Sequence, residues 1–295
     1  MQAGAARKGW LVALVLALVA TGPYNPTCPD EAATVGRQQA ARQAADASTS
    51  NAKLLKPVTY RMRSPEGEPR VAVARLAPSS LPRYATGKDV VIDVIVAYTK
   101  EAAANYADIK GELLDIAIEE ANASFRASHV GNVKLRLVHA YQTDYVEQGD
   151  HFDHLWRFAD RRDGYMEEIH DLRDLHRGDV ALLIVNDAGG CGLATRVLAD
   201  AEEAFAVIHH GCAATSYTLA HEVGHLIGAR HELSYVNGTK WRDIMSFKDA
   251  CGGCPRIPIW SSPTILVNGE PAGTVELDNA RVIAEQAARV AAFRD

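Results

Sequence analysis

The chain has 295 residues, is 47% hydrophobic and 23% charged, and carries a formal net charge of −6. The charge is unevenly spread: residues 21–88 hold 10 Lys and Arg against 5 Asp and Glu, whereas residues 89–295 hold 19 against 32. The long acidic part lacks the clustered cations that phosphate binding requires, which argues against nucleic acid as a partner, and no phosphate loop, dinucleotide Gly pattern or internal repeat is present.

In chain order, Arg7 and Lys8 precede an apolar run over residues 10–20 and then Thr21-Gly22-Pro23. That charged, apolar, polar order predicts a signal peptide over residues 1–22, and so a secreted chain, extracellular or periplasmic. Eleven apolar residues are too few to cross a bilayer core of about 30 Å, so no stable membrane anchor is expected. Residues 23–56 are rich in Ala, Gln, Ser and Pro and read as linker. Alternating segments at 58–63 and 70–75 flank Ser64-Pro65-Glu66-Gly67 and predict a hairpin. Residues 23–88 thus form a candidate pro-region, whose positive charge would draw it onto the acidic remainder and hold it latent; a bias serving only solubility is the alternative.

Residues 89–295 alternate strand and helix patterns. Strands are expected at 89–98, 133–141, 179–185 and 204–208, the last two as continuous buried runs. Helices are expected at 109–127, with Leu113, Leu114, Ile116, Ile118 and Ala121 as the inward stripe, at 165–176, and at 278–293. The fold class is therefore α/β, helices packed on one sheet, with a cleft separating a larger part from a shorter one after His231.

The most informative stretch is His221-Glu222-Val223-Gly224-His225-Leu226-Ile227-Gly228-Ala229-Arg230-His231. Residues four apart share a helix face, so His221 and His225 can aim two imidazoles at one point. A straight helix would carry a third His past that point, and Gly228 supplies the residue at which the chain can turn and return His231. Three imidazoles without thiolates suit zinc and leave a fourth position open, as in catalytic sites. Glu222 is the candidate general base, beside the metal without ligating it.

This extended pattern resembles the zinc signature of the metzincin metalloendopeptidases, and Trp241-Arg242-Asp243-Ile244-Met245-Ser246-Phe247 resembles their methionine-containing turn, with Met245 as the match. Within that group the chain is most similar to the bacterial peptidyl-Asp metallopeptidases, relatives of the reprolysins (adamalysins). The similar segments include Asp93-Val94-Ile95-Val96-Ala97-Tyr98-Thr99, Arg256-Ile257-Pro258 and the closing Ala280-Arg281 helix; Glu232 departs, standing where reprolysins usually have Asp. The resemblance implies a zincin-like catalytic domain over residues 89–295, with a mixed twisted sheet, an active-site helix, a methionine turn and a small C-terminal subdomain ending in a helix. It also implies one catalytic zinc ion, with calcium undetermined, and protein or peptide substrates cut by water with Glu222 as base. It further implies a substrate-pairing edge strand at Gly192, Leu193 and Ala194, for which an ordinary tight loop is the alternative, and a preference for Asp that needs a nearby cation, for which Arg196, Arg230 and Arg242 are candidates. Two other classes stay open: a secreted zinc-stabilised binding module that does not cut, and an exported zinc hydrolase of non-protein substrates.

Five cysteines fit an oxidising compartment. Pairing Cys191 with Cys212 and Cys251 with Cys254 leaves Cys28 over, although four cysteines allow three pairings. Cys251-Gly252-Gly253-Cys254 fits a tight structural loop, a metal pair or a redox pair; Cys28 is a candidate thiolate switch or an unpaired residue in a tail. His151 and His154 fit a second metal pair or, more simply, packing. Asn122 and Asn237 begin glycosylation patterns. Oligomeric state is not legible.

Overall fold

The computed structural model describes residues 87–295. The predicted signal segment, most of the pro-region with its hairpin, and Cys28 lie outside the described residues. In chain order the elements are β1 (Val90–Tyr98), α1 (Lys100–Ala103), a π-helical turn (Lys110–Leu114) running into α2 (Asp115–Ala127), β2 (Val133–Gln142), α3 (His151–Ala159) and α4 (Glu168–His176). There follow β3 (Val180–Val185), β4 (Gly192–Ala194), β5 (Phe205–His209), α5 (His210–Ala213), α6 (Thr218–Ile227), β6 (Val236–Asn237), β7 (Trp241–Arg242), β8 (Ser262–Val267), β9 (Glu270–Ala272) and α7 (Asn279–Val290).

The main sheet has the order β2-β1-β3-β5-β4. β1, β2, β3 and β5 are parallel neighbours, and β4 closes one edge antiparallel to β5, with Leu193 opposite Val207. Alternation along the strands divides the core. Val94, Val96, Leu182 and Ile184 face a cluster shared with α2, α6 and α7. Ile95, Ala97, Leu183 and Val185 face another shared with Leu155 and Phe158 of α3 and Ile169 of α4. Burial on both faces explains why β3 reads as the unbroken apolar run Val180-Ala181-Leu182-Leu183-Ile184-Val185. The mixed α/β architecture expected from the sequence is thus present. Among the described residues no helix is long and apolar enough to cross a membrane.

Three details depart from the sequence reading. Helix α3 was not anticipated, although Asp150 caps it by accepting from Phe152 N and Asp153 N in a reciprocal box with the Asp153 side chain. Its inward row is His151, His154, Leu155 and Phe158, so two histidines hold places where apolar residues would have revealed the helical period. Both are buried: His151 Nδ1 lies 2.7 Å from Asp187 Oδ2, and His154 Nδ1 lies 2.7 Å from the Tyr145 hydroxyl. Second, Ile116 faces solvent at 47% exposure, because the π turn shifts the register and Ala117 takes the inward place instead. Third, Asn122 is buried with its carboxamide bonded to both Leu135 N and Leu135 O, so the folded protein offers no glycosylation acceptor there.

The last helix does more than close the chain. Ala280, Ile283, Ala287 and Val290 of α7 join the same apolar cluster as α6, which returns the end of the chain to the main core. Between them, the segment with β6, β7, β8 and β9 builds its own small cluster around Trp241, Ile265 and Ala272.

Helix α6 is buried on every side, as an apolar helix in a core should be. Gly224 makes that possible: a Cβ there would stand 2.4 Å from Trp260 Cη2 and 3.5 Å from Met245 Sδ. Trp260 in turn donates from Nε1 to Ser124 Oγ at 2.9 Å and stacks on Phe125, so it has no room to retreat. Gly224→Ala should therefore destabilise by about 1–3 kcal/mol through overpacking, lowering the thermal midpoint by several degrees. An unchanged midpoint in a melting experiment would show that Trp260 gives way freely.

Candidate metal centre

The C-terminus of α6 shows how the fold supports the site. A helix end leaves four carbonyls without helical partners, and here each has one. Gly224 O accepts from Gly228 N and Ala229 N, His225 O from Leu198 N and Leu226 O from Ala199 N. Ile227 O accepts from Arg289 Nη2 at 3.2 Å, reaching over from α7. Gly228 ends the helix at φ 137°, a conformation that side chains resist, and the chain turns there as the spacing predicts.

That turn brings His231 back to His221 and His225. One side-chain atom from each of the three lies within 4.8 Å of the others, and the group could hold a metal ion. Each imidazole is aimed by its other nitrogen. His221 Nδ1 bonds to Ile244 O at 2.8 Å, His225 Nδ1 to Ala229 O at 3.0 Å and His231 Nδ1 to Met245 O at 2.7 Å. A carbonyl oxygen can only accept, so each Nδ1 carries the proton and each Nε2 presents a lone pair. His225 Nε2 and His231 Nε2 are 3.2 Å apart, two lone pairs facing each other with no proton between them. Tetrahedral zinc with bonds of about 2.0–2.1 Å holds its nitrogens about 3.3–3.4 Å apart, so the spacing fits such an ion.

Burial completes the electrostatics. His221 and His225 are 1% and 8% exposed. Burial pushes the His225 pKa down to about 3 and the His221 pKa well below the ordinary range, so both stay neutral and able to ligate. His231 is half-buried and stacks on Phe247 with ring centres 4.0 Å apart.

Glu222 is 3% exposed and lies beneath the edge strand: a Cβ on Gly192 would come within 2.6 Å of Glu222 Oε1. Gly192 is thus required for β4 to pass directly over the carboxylate. Leu193 and Ala194 continue that strand with β5 on one side and the sheet edge on the other. The disulfide Cys191–Cys212 anchors the start of β4 to α5, and Cys251–Cys254 closes the loop after β7. Met245 is fully buried in the turn whose Ile244 and Met245 carbonyls orient two of the three imidazoles. Glu232, next to the third histidine, is exposed.

Several supporting residues were not singled out in the sequence. Asn279, at the start of α7, accepts from Arg230 N at 2.9 Å and donates to Arg230 O at 3.0 Å. Ser261 Oγ donates to Leu233 O at 2.6 Å and accepts from Asn279 N at 2.9 Å. The pair thereby clamps the backbone on both sides of His231. No local pattern marks an Asn or a Ser for such a task, which exists only after the chain returns.

A parallel sheet with an antiparallel edge strand, flanked by helices, over a largely buried three-histidine group with an adjacent carboxylate defines a metallohydrolase-type domain. Comparison with known proteins makes this specific: residues 88–255 match the metallo-peptidase family M12, and the chain belongs to that family. It is 34% identical over 244 residues to the peptidyl-Asp metalloendopeptidase of Stenotrophomonas maltophilia (strain R551-3), covering 77% of this chain and 58% of that protein. It is 37% identical over 224 residues to that of Xanthomonas campestris pv. campestris, covering 71% of this chain and 53% of the relative. The chain thus spans little more than half the length of these curated relatives. Among solved structures, a chaperone-substrate complex matches with a TM-score of 0.58 at 18% identity, covering 70% of this chain and 35% of that one, a likeness of fold.

If the Asn279 clamp sets the position of His231, Asn279→Ala should weaken zinc binding by about 10–100-fold, as loss of supporting groups around ligands does. Competition with a chromophoric chelator measures this directly; unchanged affinity in a folded variant would assign Asn279 to packing alone.

Proposed function

We propose that this chain is a secreted zinc-dependent endopeptidase, with His221, His225 and His231 as ligands and Glu222 as general base. The observation that carries the reading is the set of three Nδ1 hydrogen bonds to carbonyls, which turns three lone pairs on one point beside a buried carboxylate. A bound zinc ion supplies Lewis-acid chemistry, polarising a carbonyl oxygen and making water more acidic.

The chain's own residues supply the rest. Glu222 stands between α6 and β4, where it can take a proton from the attacking water and return it to the leaving amine. β4 offers its free edge to an extended peptide, so main-chain pairing can lay a scissile bond across the histidines whatever the side chains are. Gly192 keeps the peptide close to Glu222. No residue need act as nucleophile, since hydrolysis by water passes through no acyl-enzyme. The names of the relatives support a preference for Asp at the cleavage site. Residues 1–22 act as export signal and residues 23–88 as a basic pro-region over the acidic domain; both disulfides suit an exported protein.

Glu222→Gln keeps the shape of the side chain and removes the base. It should lower kcat/KM on casein-derived peptides by about 10²–10⁴-fold with zinc content unchanged. Undiminished activity would refute the mechanism, and no peptide hydrolysis by wild type would favour the binding module or another substrate class. Removing the ion with a chelator should abolish activity and lower the thermal midpoint, both restored by added zinc, since a ligand bound only to the native state stabilises it.

A further inference from the structure

From its sequence, Cys251-Gly252-Gly253-Cys254 fits a structural loop, a metal pair or a redox pair. The structure joins the two sulfurs, and a disulfide offers no thiolate to a metal. The ring so closed stands at the base of the loop that orients the metal ligands.

That loop leaves at Arg242 and returns at Cys254. Between them, Ile244 O and Met245 O accept from His221 Nδ1 and His231 Nδ1, and the Phe247 ring stacks on His231. The two ends are tied together: Arg242 N donates to Pro255 O at 3.0 Å, Ile257 N to Arg242 O at 2.9 Å and Arg242 Nε to Cys254 O at 3.3 Å. Arg242, only 8% exposed, also reaches from Nη1 to Ser246 O at 2.5 Å, beside Met245. The limb after Phe247 folds back on the ring, with Gly253 N donating to Lys248 O at 3.0 Å and Gly252 N to Asp249 O at 3.2 Å. A two-glycine link is the most flexible the chain can make, so covalent closure is what gives it one shape and sets Cys254 O under Arg242. Cys251 is half-buried and both glycines are exposed, which puts this bridge within reach of a thiol from solvent, whereas Cys212 of the other bridge is fully buried.

We infer that the Cys251–Cys254 bridge is a positioning clamp for the metal ligands, which makes the affinity of the centre for zinc depend on redox state. The inference rests on the zinc reading above. With both thiols reduced, the limb at Cys254 is released, Arg242 loses a fixed acceptor, and the carbonyls that aim His221 and His231 are held less firmly. Closure proceeds by exchange with a partner disulfide: the two Cys thiols give up two protons and two electrons, one S–S bond forms here, and the partner's S–S bond becomes two thiols. A chain in a thiol-rich compartment then holds zinc weakly and an exported one holds it tightly, which confines proteolysis to the oxidising side.

The test compares the full chain with its Cys251→Ser/Cys254→Ser variant, reading zinc affinity by competition with a chromophoric chelator without reductant. The variant should bind zinc about 10–100-fold more weakly, the usual loss when groups that orient ligands are disturbed. A bridge that serves stability alone would lower the thermal midpoints of the metal-free and zinc-loaded protein alike and leave the affinity unchanged, which overturns the inference. Wild type reduced by a phosphine and capped with iodoacetamide supplies a second arm, with mass spectrometry selecting protein modified at Cys251 and Cys254 but not at Cys191 or Cys212. Its affinity should fall to that of the variant; wild-type affinity in the capped protein overturns the inference, and this arm decides alone if the variant does not fold. Untreated wild type that binds no zinc would refute the metal centre itself rather than the clamp.

Discussion

Three N–H to carbonyl hydrogen bonds hold the centre of this molecule, from His221, His225 and His231 to Ile244, Ala229 and Met245. Each consumes the Nδ1 proton and so leaves a lone pair on Nε2 directed inward. The arrangement suits a cation, because lone pairs on His225 and His231 face each other across 3.2 Å and repel. A divalent ion at that point would turn the repulsion into binding. The same hydrogen bonds dictate what surrounds them: two successive carbonyls must face the helix from a tight turn, and the chain must reverse within one residue after α6.

The reversal at Gly228 and the Met245 turn are both held by distant parts of the chain. Asn279 and Ser261 fasten the segment around His231, Arg289 caps α6, and Trp260 fills the notch left by Gly224 while bonding to Ser124 and Ser128 near the end of α2. The turn has its own brace, since the Asp243 carboxylate accepts from both Tyr235 N and Ser246 Oγ. The segment after His231 thus contributes little core of its own but supplies most of the groups that orient the ligands. Helix α7 returns to the main apolar cluster, so both ends of that segment are fastened to one body.

What the sequence could reveal follows from what is local. His221, Glu222, His225, Gly228 and His231 are legible because helix period and a glycine turn alone set their geometry, and β3 and β5 because burial on both faces writes a continuous apolar run. Helix α3 is hidden in the sequence because His151 and His154 occupy its inward row, and the inward row of α2 has Ala117 in place of Ile116 because a π turn leaves no compositional mark. Asn279, Ser261 and Trp260 carry tertiary roles that no spacing encodes. Arg256 is legible within Arg256-Ile257-Pro258, but its hydrogen bonds to Ser216 O and Ser246 O, 40 and 10 residues away in the chain, are not.

The charge distribution gives the cleft its remaining logic. With 32 acidic against 19 basic residues over residues 89–295, the domain as a whole repels acidic peptides. Solvent ions confine that field: at physiological salt the screening length is about 8 Å, so distant surface carboxylates count for little inside the cleft. A half-buried group such as Arg256 is screened less than exposed charges, and it contributes, after burial itself, to keeping the His221 and His225 pKa values low.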